Sequence, residues 1–259
     1  MMRERAQMSD WLGLQGRPAL VVGAGGLGGA AALALAAEGA RVVVVDRSED
    51  HLDSLATQSR VAGVDLASLV LDVGTPDASR AAVEKAVGVV GTPQVFVHAV
   101  GRNDRRPVLE LGDEEWQLIL TLNLSTAWWL GQEVGRRMVG AGYGRIVFLS
   151  SVSGLLAHPH HAPYAATKGG INQMMRVMAR EWASSGVTVN AVAPGYVETE
   201  LTRAHLDTDG HRAQLEALVP TGRLGRPSEV ADTITFLTSD RAAFITGQVV
   251  YVDGGRTLA

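Results

Sequence analysis

The chain has 259 residues, 46% of them hydrophobic and 19% charged, which implies a well-cored globule and excludes a disordered polymer. A net charge of −4 with no basic block argues against nucleic acid as a partner. Cysteine is absent, no apolar run reaches bilayer length, and the first sixteen residues hold no signal-peptide core, so a soluble, cytoplasmic protein with no membrane partner is expected.

From Arg17 onward, short β-branched runs alternate with alanine-rich stretches of helical period. The pattern predicts strands over 19–22, 41–45, 69–71, 94–98, 145–150, 187–191 and 248–252. Helices are expected over 27–38, 78–90, 114–139, 164–184 and 228–238. Continuously apolar strands separated by helices indicate a parallel sheet covered on both faces, and right-handed crossovers make it doubly wound. No linker, repeat or low-complexity tract divides residues 1–259, so a single domain is expected. The polar stretch 196–222, with Asp207-Thr208-Asp209-Gly210 at its middle, reads as a lid or substrate loop beyond a strand end.

Between the first strand and its helix lies Gly23-Ala24-Gly25-Gly26-Leu27-Gly28. In a strand–turn–helix context, Gly23 permits the tight turn, Gly25 lets a pyrophosphate approach the backbone, and Gly28 allows close helix–strand packing. This defines a Rossmann-type dinucleotide site. Asp46, closing the second strand, is placed to accept the adenosine ribose hydroxyls and to repel a 2′-phosphate, which favours NAD over NADP. Arg47 pulls the other way, because a guanidinium pairs with phosphate. Asp72 and Val73 follow the third strand and are expected to border the adenine. After the fourth strand, small Ala99 and Gly101 would let the cofactor pass close to the sheet edge.

Tyr164 and Lys168 are four residues apart at the start of a helix, which sets them side by side on one face. A phenol titrates near ~10, and a neighbouring cation lowers that value, so Tyr164 becomes a candidate general acid/base.

Taken together, the Gly-rich turn, Asp72-Val73, His98-Ala99-Val100-Gly101, Asn123, Ser151, Tyr164-x-x-x-Lys168, Pro194-Gly195 and the closing GQVVYVDGG run resemble the short-chain dehydrogenase/reductase family, over nearly the whole chain. Two departures stand out. Val22 replaces the usual threonine before a glycine loop one residue shorter, and His98 stands where the family carries asparagine. The resemblance implies NAD or NADP as cofactor, Tyr164 as proton donor and Lys168 as the group that lowers its pKa and holds the nicotinamide ribose. It also implies that Ser151 holds the substrate oxygen and that Asn123 belongs to a proton relay. Leu27 and Gly26 would join the phosphate turn, while Pro194, Gly195, Val197 and Thr199 would flank the nicotinamide.

Two polar stretches are expected to border the substrate: the loop carrying Arg105 and Arg106, and His158-Pro159-His160-His161. An arginine clamps a carboxylate bidentately, so a polyhydroxy acid suits this wall. The runs APYAATKGG and VNAVAPGYVETELT, with the arginine-bearing loop, resemble gluconate 5-dehydrogenases and related sugar-acid or polyol dehydrogenases, which implies a substrate of that class. The histidines, with no cysteine among them, read as hydrogen-bonding groups, and no metal is expected. A 3-oxoacyl-thioester reductase is the alternative enzyme, and a non-catalytic dinucleotide-sensing regulator the alternative of another class. Trp128, Trp129 and Trp182, on the two long helices, suggest a homo-oligomer seam, and the resemblance implies a tetramer.

Overall fold

β1 (Pro18–Val22) pairs in parallel with β2 (Arg41–Asp46) on one side and β4 (Val95–His98) on the other. β3 (Leu66–Val70) lies beyond β2, while β5 (Gly144–Leu149), β6 (Val187–Pro194) and β7 (Val249–Val252) continue past β4. The result is a seven-stranded parallel sheet ordered 3-2-1-4-5-6-7. Strand order reverses between β1 and β4, where an open parallel sheet leaves a crevice at the strands' carboxyl ends. The computed structural model describes residues 10–199 and 210–259; most of the expected lid's centre, including Asp207, Thr208 and Asp209, lies outside them.

The helices follow in chain order as α1 (Gly26–Ala37), α2 (Glu49–Ala62), α3 (Pro76–Val90), α4 (Asp113–Leu120), α5 (Thr126–Ala141), α6 (Ala162–Trp182), α7 (His211–Ala217) and α8 (Pro227–Leu237). Successive strand residues point to opposite faces, so the sheet feeds two cores. Leu20, Val43, Phe96, Ile146 and Val189 meet α3, α5 and α6 through residues such as Val83, Leu130 and Ile171. Val21, Val44, Val97, Val147 and Val192 meet α1, α2 and α8 through Leu35, Leu55 and Ile234. Each such fully buried side chain contributes about 1.5–3 kcal/mol relative to exposure. Phe96 and Phe148 add an edge-on ring contact, with centroids 6.2 Å apart.

Three elements differ from the sequence reading, each for a local reason. α2 was not anticipated, although Ser48 caps its start by accepting from the His51 amide and Gly63 ends it with φ +69°. β3 begins at Leu66 rather than 69, because this edge strand is only half covered and lacks a continuous apolar run. The helix expected over 114–139 is two helices joined by a π-turn, Thr121–Ser125, with Asn123 at its centre. No helix among the described residues is long and apolar enough to cross a membrane.

Candidate active site

The glycine turn is jammed against the end of β4. A carbon added at Gly28 would lie 2.0 Å from the Gly23 carbonyl oxygen, and one at Gly23 would lie 2.8 Å from the Ala99 carbonyl carbon. Gly26 holds φ +44°, a conformation that disfavours a side chain, and Thr199 packs 3.3 Å from where its Cβ would stand. The turn therefore presents bare backbone at the N-terminus of α1, the environment a pyrophosphate requires. Asp46 is pinned beside it: one carboxylate oxygen accepts from the Ala24 amide at 2.7 Å and the other from the Ser48 amide at 2.9 Å. Arg47 is exposed at the same end.

Asp72 caps the turn after β3 by accepting from the Gly74 amide, and Val73 is buried in the core. Pro194 ends β6; Gly195 follows it so close to β7 that a side chain would strike Asp253 at 2.9 Å. Val197 is buried and bridges to Gly225. These residues all cluster at the carboxyl ends of the strands.

Ser151 follows β5, and its side chain accepts from the Ser153 amide and hydrogen-bonds Tyr164. Tyr164 and Lys168 project from the first turns of α6. The Lys168 ammonium donates to the Leu149 carbonyl at 2.6 Å and lies over the Tyr164 ring, 5.4 Å from its centroid. Asn123 reaches across from the π-turn. Its side-chain oxygen accepts from the Arg102 amide at 2.7 Å, and its nitrogen donates to the Arg102 carbonyl at 2.9 Å. Gly101 is the floor between them: a carbon there would stand 3.6 Å from Asn123 Oδ1 and 3.8 Å from Lys168 Nζ.

The electrostatics correct one expectation. Tyr164's pKa is raised rather than lowered, because burial of the hydroxyl outweighs the Ser151 hydrogen bond and the Arg105 charge. Lys168 sits over the ring, not against the oxygen, and burial lowers its own pKa to about 8. A phenol held protonated is suited to donate.

The substrate side also sorts the sequence candidates. Arg106 is spoken for, pairing with Asp104 at 2.9 Å and Glu115 at 3.0 Å, so it is not the clamp expected of it. Arg105 is exposed, and its charge acts on both Tyr164 and His161. The histidine loop turns at His160, with φ +64°, bringing the His158 and His161 rings within 5.7 Å. His158 also contacts Ser153 Oγ at 3.0 Å and the Tyr196 hydroxyl at 3.4 Å, while His161 lies 6.3 Å from the Tyr164 ring. Tyr196 opens the stretch expected to form a substrate loop, but its hydroxyl's contact with His158 was not anticipated, because a tyrosine at the start of a polar loop carries no motif. Among the described residues no group of three histidine, cysteine, aspartate or glutamate side chains is placed to hold a metal.

The family comparison agrees with this geometry. A family model described as enoyl-(acyl carrier protein) reductase matches residues 22–257. The 3-oxoacyl-[acyl-carrier-protein] reductase FabG of Escherichia coli (strain K12) is 39% identical over 245 residues, covering 94% of this chain and 98% of that one. Gluconate 5-dehydrogenase of Gluconobacter oxydans (strain 621H) is 35% identical over 254 residues, covering 96% and 98%. A crystal structure of a gluconate 5-dehydrogenase from Burkholderia cenocepacia J2315, in complex with NADP and tartrate, superposes with TM-score 0.88 at 36% identity, covering 95% and 96%. The chain belongs to the short-chain dehydrogenase/reductase family. It is an oxidoreductase acting on CH–OH groups with NAD or NADP.

Proposed function

We propose that the chain interconverts a secondary alcohol and a ketone on a small polyhydroxy acid or polyol, in the manner of a gluconate 5-dehydrogenase. The nicotinamide, when bound, supplies or accepts the hydride. Tyr164 gives its proton to the carbonyl oxygen during reduction, and Ser151 holds that oxygen in place. Lys168 carries positive charge beneath the reacting groups and binds the nicotinamide ribose. Together with Asn123 it links Tyr164 to solvent across the space above Gly101. The glycine turn with Leu27 binds the pyrophosphate and Asp46 the adenosine ribose. Asp72, Val73 and Ala99 line the adenine side, while Pro194, Gly195, Val197 and Thr199 border the nicotinamide.

One observation carries the substrate class: Arg105, with no carboxylate partner among the described residues, acts electrostatically on Tyr164. A cation beside the proton donor suits a substrate that brings its own carboxylate. Reduction of a 3-oxoacyl thioester is the second reading, favoured by the 39%-identical relative and by Leu155, exposed just past Ser151.

The test is oxidation of NADH and of NADPH with 5-ketogluconate and with an acetoacetyl thioester. Turnover of the keto acid, with KM raised roughly tenfold or more by Arg105→Gln and little by Arg106→Gln, is the expected result. Turnover of the thioester alone moves the chain to the second reading.

We also propose self-association through the outer faces of α5 and α6. Trp128 and Val177 are exposed there. Trp182 is only partly exposed, its ring packing 2.5 Å from where a Gly135 Cβ would stand, so it offers less of this face than Trp128.

A further inference from the structure

Arg256 was not singled out by the sequence, yet the fold brings it to the substrate side of the cleft. It opens the short turn after β7, Arg256–Leu258, which Asp253 holds in place by accepting from the Gly255 amide at 2.9 Å and the Thr257 amide at 2.8 Å. This turn is wedged between two segments. A Cβ at Gly195, next to Tyr196, would lie 2.9 Å from the Asp253 Cα, and one at Gly254 would strike Thr221 Oγ1. The Thr221 amide donates to the Gly254 carbonyl at 3.2 Å. The Asp253 carboxylate is thus spent on backbone, and no side-chain carboxylate among the described residues pairs with Arg256. Arg256 is half-buried, and its Nη1 donates to the Ala259 carbonyl at 3.2 Å. Its Nε is shut off from solvent and meets no partner among the described residues. A buried N–H left in that state is costly unless something else accepts from it. Nε and Nη2 form the edge of a guanidinium that receives a carboxylate or phosphate side-on.

The two histidines sort the arginines. Burial lowers the pKa of both rings, and the charge of Arg256 adds to this at His158, whereas that of Arg105 adds to it at His161. His161 stands beside Tyr164, and His158 beside Tyr196. The cations therefore mark different ends of one wall, Arg105 by the proton donor and Arg256 by Tyr196. We propose that Arg256 is a second anion-binding residue of the substrate site, and that the preferred substrate is an acyclic sugar acid with a second anionic group, carboxylate or phosphate, at the end away from the carboxylate that Arg105 meets. An uncharged terminus there would leave the Nε donor unmet, which is how a site built for one group rejects its neutral analogue. The inference rests on the reading of this chain as acting on a polyhydroxy acid.

The test uses three acids that differ only at the sixth carbon: gluconate, glucarate and 6-phosphogluconate. Each is titrated calorimetrically into the whole chain saturated with NADH, where an alcohol binds without turning over. Wild type should bind glucarate or 6-phosphogluconate about tenfold or more tighter than gluconate, and which of the two gains identifies the anion as carboxylate or phosphate. Arg256→Gln should bring that preference close to one while leaving gluconate within about threefold of wild type, which also reports that the variant is folded. Arg256→Lys should keep part of the preference, since it retains the charge and loses the fork. Arg105→Gln should weaken all three acids alike. Wild type that does not distinguish the three acids overturns the proposal, as does a preference that survives in Arg256→Gln or disappears in Arg105→Gln. Failure of all three to bind wild type removes the polyhydroxy-acid reading, and this proposal with it, a result distinct from binding without discrimination.

Discussion

His98 Nε2 lies 2.9 Å from Thr126 Oγ1, joining the end of β4 to the helix that begins after the π-turn. The direction of this bond follows from the threonine. Thr126's backbone N–H reaches back five residues to Thr121 O, and its hydroxyl donates to Leu122 O at 2.6 Å. With its one proton spent, the hydroxyl accepts, so the imidazole donates from Nε2. Burial keeps the ring neutral, lowering the His98 pKa to about 3. The chain from His98 through Thr126 to Leu122 thus holds the widened turn that aims Asn123 at Arg102. Where the family has asparagine, the His98 imidazole reaches Thr126 of α5 by its far nitrogen.

Thr126→Val should destabilise the fold by about 1–3 kcal/mol in urea unfolding, by leaving the buried His98 Nε2–H without an acceptor, whereas His98→Phe should cost less, because the Thr126 hydroxyl keeps its bond to Leu122 O. The sign of the pH effect is fixed. The folded His98 pKa lies below the unfolded value, so the unfolded chain binds more protons between about 3 and 6.5. Stability falls as pH drops through that window, and His98→Asn should flatten this part of the curve.

Lys168 supplies the opposite window. Its folded pKa is lowered from 10.5 to about 8 by burial, so the unfolded chain binds more protons between those values. The cost of burying the ammonium is fully present below about 8 and is relieved as pH rises towards 10.5. Activity should run the other way, with kcat/KM for ketone reduction falling as pH rises through about 8, where the charge is lost. Lys168→Arg should move that limb upward, because a guanidinium keeps its proton. A wild-type profile flat well beyond that pH would show that the reaction does not need the Lys168 charge.

Trp128 is 45% exposed on α5, an unusual position for so large an apolar ring in a solitary molecule. Light scattering at micromolar concentration should show an oligomer, and Trp128→Glu should lower the mass without changing the far-ultraviolet circular dichroism. A monomeric wild type contradicts the proposed seam.

Much of this site was legible in the chain because backbone demands it. Gly23 and Gly28 sit where the turn admits no side chain, and that requirement writes itself into the sequence. Tyr164 and Lys168 were legible through helical spacing. What could not be read depended on contacts distant in sequence. Nothing in Thr121–Ser125 marks a π-turn, because its stability comes from Thr126 meeting His98 on another element. Arg105 and Arg106 look alike in sequence, and only the folded loop, with Glu115 beside one of them, tells them apart. Lys168's effect on Tyr164 was expected from spacing alone, whereas burial, a property of the whole site, set the direction of the shift.

The role of Tyr164 as proton donor is tested most directly by ketone reduction with Tyr164→Phe alongside calorimetric binding of NADH and NADPH. Tyr164→Phe removes one oxygen while keeping the ring over which Lys168 lies. We expect turnover to fall by about 10²–10⁴-fold or more with dinucleotide affinity within a few-fold of wild type. Turnover within roughly tenfold of wild type, with binding intact, would contradict the assignment and place the proton donor elsewhere.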